Sequence, residues 1–401
     1  MKAAWQIKTL GEVCKVVNGG TPKTGVKEYW DGEHLWITPA EMGKRLNPYA
    51  DDTARKITSQ GLRDSSARLL PLNSVILSSR APIGHLVINT KPMATNQGCK
   101  GLVPSESLAC KYLFYFLQAN VDFLNDLGSG ATFKELSGGK LKEVKISLAP
   151  LTEQQRIVAI LDQAFEGIAK ARANSEQNLQ NARALFESHL QSVFTQRGGG
   201  WTEKPLEQVS KVVSGYSFKS SDFSSTNQIK TIKITNVGVK EFVNDFDSLL
   251  PSNFKNKYEA FSVNKGSIVI ALTRTIIQSG LKVAVVPSAY DGALLNQRVA
   301  AIVANSKYVI DSYIYLYLST KQVEHYVKSH VNTLMQPNLS INDLKALPIP
   351  LPTIFEQEKI VEDLETLSKE TQRLETLYQR KIVLLGELKK SLLQQAFAGE
   401  L

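Results

Sequence analysis

Two long stretches of this 401-residue chain repeat each other, and a duplication of that size constrains the architecture before any local structure is considered. Trp5, Leu10, Val13, Lys15, Val16, Val17 and Gly19 recur 196 positions later as Trp201, Leu206, Val209, Lys211, Val212, Val213 and Gly215. The segment NSVILSSR ending at Arg80 matches GSIVIALTR ending at Arg274, and the pair Asn96-Gln97 returns as Asn296-Gln297. LTEQQRIVAILD from Leu151 matches IFEQEKIVEDLE from Ile354 at an offset of 203. The offset drifts by a few residues, as it does when loops lengthen on a shared scaffold. Units of about 200 residues are the size of ordinary domains and far too long for a solenoid of short repeats.

Each unit changes character at a proline-bearing segment, ISLAPL (146–151) in the first and IPLPTI (349–354) in the second. Ahead of it the sequence is mixed α/β. Runs such as Ser74 to Leu77, Ser267 to Leu272 and Lys282 to Val286, bounded by Gly, Pro, Asn and Ser, read as strands. KYLFYFLQ (111–118) and SYIYLYLS (312–319) read as core helices rather than base-stacking platforms. Behind the boundary the apolar residues follow a sevenfold period: Val158, Phe165, Leu179, Phe186 and Val193 with Leu161, Ile168 and Ala182, broken at Arg172. The second unit repeats this with Ile360, Leu367, Leu374 and Leu388, broken at Lys381, and with Leu364, Tyr378, Leu385 and Leu392, broken at Thr371. A helix covering 152–197 would run roughly 69 Å at ~1.5 Å per residue and needs a partner for its seam. The other helix of the same chain, running antiparallel, is the simplest partner.

The expected fold class is therefore α+β. Two α/β domains (1–150 and 198–352), related by the internal repeat, are separated by two long antiparallel coiled-coil helices (151–197 and 353–401).

Charge is distributed unevenly over these four segments. The net +9 resolves into +6 for residues 1–150, +5 for 198–352, zero for 151–197 and −2 for 353–401. A polyanionic partner such as nucleic acid would meet the globular domains, leaving the helices as spacer and protein interface. Three cysteines (Cys14, Cys99, Cys110) form no CxxC pair, which excludes a disulfide framework or zinc cage and leaves buried thiols. No apolar run of about 18 residues exists, and Met1 to Trp5 lacks the apolar core of a secretory signal, so the expectation is a cytoplasmic chain with no membrane span.

Catalytic signatures fail one after another. There is no GxxxxGK[ST] phosphate loop, GSGATF at Gly128 ends in Phe133, and Asn47-Pro48-Tyr49 lacks the second proline of the amino-methyltransferase motif NPPY. His325 and His330 are five apart and fall on different helical faces, and Glu143-Val144-Lys145 has no acidic companion that would make it a nuclease centre.

The opening W-x4-LGEV with NGGTPKT, then LWITPAEM and VILSSRAPIGHLVI followed by TNQG, resembles the first target-recognition domain of a type I restriction-modification specificity subunit. PLTEQQRIVAILD, LFESHLQSVFTQRGGGW, FEQEKIVEDL and the terminal LLQQAFAGEL resemble the same family, so that the likeness covers essentially the whole chain. It implies a non-catalytic protein whose two domains each read half of a split double-stranded DNA target. The two helices would set the spacer and dock two modification (methyltransferase) subunits, with ATP-driven restriction subunits joining the complex. No cofactor or metal is expected on this chain; S-adenosylmethionine, ATP and Mg are expected on the partner subunits. Two other classes fit the composition less well: an enzyme fused to its recognition domain, which needs catalytic sequence beyond these segments, and a coiled-coil adaptor whose basic domains bind proteins.

Side chains in turn-rich segments are the candidates for DNA contact: Thr21, Lys23, Lys44, Arg45 and Lys134 in the first domain, and Lys219, Lys233, Asn236, Gln336 and Asn338 in the second. Arg80 and Arg274, each ending an apolar strand, are placed either to meet base edges or to form a structural salt bridge. The recurrence of Asn96-Gln97 as Asn296-Gln297 argues for a structural turn. Ile157, Leu185, Leu377 and Leu384 are apolar helix residues beyond the mutual seam and are expected to bind protein partners. The second domain departs from the first at its opening loop, where SGYSFKSSDF replaces NGGTPKT.

Overall fold

The computed structural model describes residues 5–80, 82–130, 134–245, 248–331 and 337–401. It divides into two compact units, Met1–Glu176 with Gln379–Leu401, and Gln177–Tyr378.

In the first unit the run VILS forms the strand Val75–Ser78, whose four residues are all buried, because the sheet is covered on both faces. It lies third in a five-stranded sheet ordered Cys14–Asn18, Cys99–Pro104, Val75–Ser78, Leu86–Asn89, Tyr49–Ala50. A three-stranded sheet ordered Arg55–Ile57, Trp30–Ile37, Met93–Thr95 stands beside it, and Gln6–Thr9 pairs antiparallel with Lys145–Leu148. That last pair joins the start of the domain to the strand that feeds the long helix.

The second unit repeats the plan with changes in its outer strands. Ser210–Ser214, Val299–Ala304, Ile268–Ala271 and Val283–Val285 form one four-stranded sheet, and Leu249–Leu250, Ile229–Ile232, Ala293–Leu295 and Ser262–Val263 form another. Thr202–Pro205 pairs antiparallel with Pro348–Leu351, as Gln6–Thr9 does with Lys145–Leu148. The two aromatic segments are helices, Cys110–Ala119 and Asp311–Leu318, and their rings are core. Tyr112 and Tyr313 are fully buried, and each hydroxyl donates across 2.8 Å to a carbonyl of the closing strand, Ser147 O in one unit and Pro350 O in the other.

Leu151–Thr195 and Ile354–Ala398 are continuous helices of 45 residues each. Thr353 caps the second with a reciprocal pair of bonds, its backbone N–H to Glu356 Oε2 at 2.9 Å and Glu356 N–H back to its hydroxyl at 3.3 Å. One turn into each helix sits a glutamine with no exposed surface. Gln154 accepts from Ala109 N–H (2.8 Å) and donates to the carbonyls of Ser107 (2.9 Å) and Ala149 (2.7 Å). Gln357 accepts from Ile310 N–H (3.1 Å) and donates to those of Tyr308 (3.0 Å) and Pro352 (3.1 Å). These bonds bolt each helix to the loop ahead of the aromatic helix, so every polar atom of the amide has a reason to be buried.

The helices pack antiparallel within each unit. In the first, Ile157 and Leu161 near the start of one helix share a core with Leu393 and Ala396 near the end of the other; in the second, Leu190 and Phe194 share one with Val361 and Leu364. The buried line departs from the strict heptads. Gln154, Ile157, Leu161, Ser175, Ala182, Leu190 and Phe194 are buried while Val158, Phe165, Phe186 and Val193 are half-buried, and Leu374 and Leu388 are 37% and 48% exposed. A helix of 3.6 residues per turn drifts against a 3.5 repeat, and the domain cores pull the helix ends into their own packing.

All three cysteines are free thiols; burial pushes each up to about 12.

Candidate nucleic-acid interface

One corner of each unit gathers most of the polar candidates, and it is built by the repeat itself. In the first unit Gly19 N–H donates to Cys99 O (3.1 Å) and Gly20 N–H to Thr95 O (2.8 Å), while Cys99 N–H returns to Asn96 O (3.0 Å). A Cβ on Gly19 would lie 1.9 Å from Asn96 O, so only glycine permits the approach. The second unit makes the same bonds: Gly215 N–H to Val299 O (3.0 Å), Tyr216 N–H to Leu295 O (2.9 Å) and Val299 N–H to Asn296 O (3.0 Å). There a Cβ on Gly215 would lie 2.0 Å from Asn296 O. The recurring Asn-Gln pair is thus a shared structural turn, as its recurrence implies.

The strand ending at the arginine closes the corner. Ser79 N–H donates to Gly98 O (2.7 Å) and Leu136 N–H to Ser79 O (2.8 Å); in the second unit Leu272 N–H donates to Arg298 O and Leu339 N–H to Leu272 O, both at 2.9 Å. Arg80 therefore bridges to Glu135, next to Lys134, whereas in the second unit Thr273 holds the place of Arg80 and bridges to Asn338, with Arg274 one position further on.

The two corners differ in charge. Arg80 Nε lies 3.0 Å from Glu135 Oε2, and Lys100, nearly buried, reaches the other carboxylate oxygen at 3.9 Å. Burial holds the Lys100 amine below its usual range. Thr21 hydrogen-bonds Asn96 Nδ2 (2.9 Å) and Gln97, completing a polar network. In the second unit Asn338 stands where Glu135 stands in the first. Arg274 is exposed at φ +49°, a left-handed conformation costly to a residue with a Cβ, and among the described residues no acid pairs with it. Lys282, on the neighbouring strand edge, is held below its usual range by burial and by the charge of Arg274. Arg298, one position after Gln297, is exposed and has no acid partner among the described residues either; its counterpart in the first unit is Gly98.

The opening loops diverge next to these corners. Gly20 is pressed against the chain, a Cβ there falling 2.3 Å from Ala67 N. Its counterpart Tyr216 is 38% exposed, with its ring 4.6 Å from that of Tyr258 and 5.3 Å from that of Phe261. Lys257 caps the Tyr258 ring at 5.3 Å. Sequence reasoning missed Arg298, Tyr216 and Lys100. The signal was present for the first two, since continuing the offsets of 200 and 196 by one residue pairs Arg298 with Gly98 and Tyr216 with Gly20.

Lys23, Lys44, Lys134, Lys219 and Asn338 are exposed, and Gln336 lies outside the described residues. Four expectations are corrected. Asn236 is fully buried and fastens its own turn, accepting from Lys233 N–H (2.8 Å) and donating to Val243 O (2.8 Å). Lys233 is half-buried with its amine 3.2 Å from Asp245. Arg45 is held by Glu41 at 3.0 Å and by the Asp52 carbonyl, so its guanidinium ties down a loop. Ile157 is fully buried in the first core and presents nothing to a partner. Leu185, Leu377 and Leu384, by contrast, are 50%, 53% and 49% exposed.

Among the described residues no three His, Cys, Asp or Glu side chains gather as a metal site, and no helix is long and apolar enough to cross a membrane.

Comparison with known proteins agrees with a duplicated recognition scaffold. The family model described as "Type I restriction modification DNA specificity domain" matches twice, over residues 2–178 and 198–384. The chain belongs to this family. It is 27% identical over 421 residues to the type I restriction enzyme MjaIX specificity subunit of Methanocaldococcus jannaschii, covering 99% of this chain and 93% of that one. Over 162 residues, 39% of each chain, it is 34% identical to the EcoR124I/EcoR124II specificity subunit of Escherichia coli. The HsdS subunit from Thermoanaerobacter tengcongensis shares its fold with a TM-score of 0.67 at 17% identity, covering 100% of this chain and 98% of that one. A chain solved in work on complex assembly and conformational transition of the type I R-M system has a TM-score of 0.76 at 18% identity, covering 100% and 99%.

Proposed function

We propose that this chain is the DNA-recognition subunit of a type I restriction-modification complex, non-catalytic itself, with one recognition domain for each half of a bipartite double-stranded target. The observation that carries this reading is the pair of corners: one backbone scaffold, used twice, bearing different side chains at the same places. Two different sequences are read most simply by that device, because phosphate contacts only position a protein while base-edge contacts specify. The basic charge of both domains favours the phosphate backbone. Fusion to an enzyme and a purely structural adaptor are set aside by the match to a specificity family across both repeats.

The remaining assignments follow from that reading. The exposed Leu185, Leu377 and Leu384 dock methyltransferase subunits, one for each half of the repeat, and restriction subunits join them. S-adenosylmethionine, ATP and Mg act on those partners, in the cytoplasm where the DNA lies. The helix pair sets the gap between half-sites. Four residues inserted beside Arg172 and four beside Lys381, where both seams turn polar, would add about 6 Å at ~1.5 Å per residue. The gap should then widen by roughly one or two base pairs at ~3.4 Å each. Mapping methylated adenines in cells carrying the chain with its methyltransferase tests the whole reading. A split sequence whose halves persist while their separation lengthens supports it, and methylation without sequence preference refutes it.

A further inference from the structure

We propose that Arg274 and Arg298 read guanine in the half-site of the second domain, acting as a pair of exposed guanidinium groups that no acid engages among the described residues. This rests on the recognition reading above and names two of the residues that carry it. If one scaffold reads two sequences, the reading groups must lie where the copies differ while the backbone does not. Leu272 N–H to Arg298 O at 2.9 Å and Leu339 N–H to Leu272 O at 2.9 Å hold the second corner as Ser79 and Leu136 hold the first. On that common frame, where Ser79 matches Leu272, the pair Arg80 and Glu135 has become Thr273 and Asn338, and Gly98 has become Arg298. Arg274 follows Thr273 where the first unit has Ala81 in sequence, so that two new cations stand where the first unit has none. Both changes add positive charge to this corner, and both cations are arginine.

Phosphate positioning would be served by any flexible ammonium group. The planar guanidinium fork instead matches guanine O6 and N7 with two parallel bonds. The backbone of Arg274 at φ +49° fixes where that side chain begins, and the Thr273–Asn338 bridge holds the strand end in place. The first corner lacks these features: Arg80 is already engaged by Glu135, and Gly98 has no side chain. Guanine recognition through this corner is therefore assigned to the second domain.

The test uses the chain co-expressed with its methyltransferase subunit. Methylated adenines are mapped genome-wide before and after residues 198–352 are exchanged for the matching domain of a relative, which assigns the second half-site. Duplexes carrying the full target then receive 7-deazaguanine, which lacks the N7 acceptor, at one guanine of that half at a time. One or two positions should weaken binding by about 5- to 150-fold. In Arg274→Ala or Arg298→Ala the loss caused by the matching 7-deazaguanine should vanish, and Arg274→Lys should restore affinity without restoring that discrimination. Several results overturn the proposal: a second half-site without guanine, indifference to 7-deazaguanine at every position, or substitutions that weaken all sequences equally and lower the salt slope by about one, the mark of phosphate contacts. An exchange that leaves the mapped sequence unchanged sinks the recognition reading and this proposal with it. A normal split target with no 7-deazaguanine effect sinks only the proposal.

Discussion

Gly20 and Tyr216 hold the same place in the two units and make the same backbone bond, at 2.8 Å to Thr95 O and 2.9 Å to Leu295 O. Beyond the backbone they share nothing. Gly20 has no room for a Cβ, whereas Tyr216 offers a half-exposed ring stacked into an aromatic group with Tyr258 and Phe261. The same division runs through both corners, where glycine at 19 and 215 and the Asn-Gln turn are retained while Gly98, Glu135 and Gly20 give way to Arg298, Asn338 and Tyr216. Scaffold positions are those where steric clash or a buried bond forbids change in both units; reading positions are those where the same backbone frame carries different side chains in the two units.

The most severe way to break the comparison is to replace one copy outright. Exchange of residues 1–150 for the matching domain of a relative should change one half of the methylated sequence completely and leave the other untouched. Changes in both halves would show that the domains do not read separately.

Next in size are substitutions that separate covered helix faces from open ones. Ile157→Ala, in the first core, should cost about 2–5 kcal/mol of stability. Leu185→Asp and Leu384→Asp should leave the melting temperature nearly unchanged but abolish co-purification with the methyltransferase, because both side chains are about half exposed. If the Asp variants still assembled normally, the partner face would lie elsewhere.

That contrast also marks what the sequence could and could not reveal. The repeat, the strands ahead of Arg80 and Arg274, and the two helices beginning at the prolines were legible because they depend on local pattern. The helix seam was not, since a heptad reading puts Ile157 outside and Leu374 inside whereas the accumulated drift of a straight helix puts them the other way round. Nor was the fate of single polar residues. Asn236 looks like a loop reader until its turn closes over it, and Arg80 could equally read a base or pair with an acid until Glu135, 55 residues along the chain, arrives by a strand bridge.

Gln154 and Gln357 sharpen the comparison at the level of a few hydrogen bonds. Each is fully buried and makes two bonds to the loop ahead of the aromatic helix and a third to the segment that enters its own helix. Truncation strands backbone groups without partners, at about 1–3 kcal/mol for each group left unsatisfied. Gln154→Ala and Gln357→Ala should therefore destabilise their own units to similar extents in chemical denaturation. A large cost in one and none in the other would mean that the repeat has lost its equivalence at the helix start.

The smallest expected effect is the most pointed. Exchanging the residues that distinguish the two corners, Glu135→Gln in one variant and Asn338→Glu in another, alters no buried hydrogen bond and only one part-buried ion contact, that of Lys100 at 3.9 Å. The pair formed by Arg80 and Glu135 is 47% and 38% exposed, so its loss should shift stability by no more than about 1 kcal/mol. DNA should register the change more clearly than folding does. Glu135→Gln frees Arg80 and leaves Lys100 without its carboxylate, so the complex should bind a few-fold tighter with a salt slope steeper by about one released counterion. Asn338→Glu places an acid beside Arg274 and should do the reverse, lowering affinity and flattening the slope. Titrating target duplex against each complex over a range of salt measures both. Opposite shifts in the two variants would make the acid at this position the switch between a tethered and a reading arginine. Identical binding in both would reduce Glu135 to a surface ion pair of no consequence for DNA.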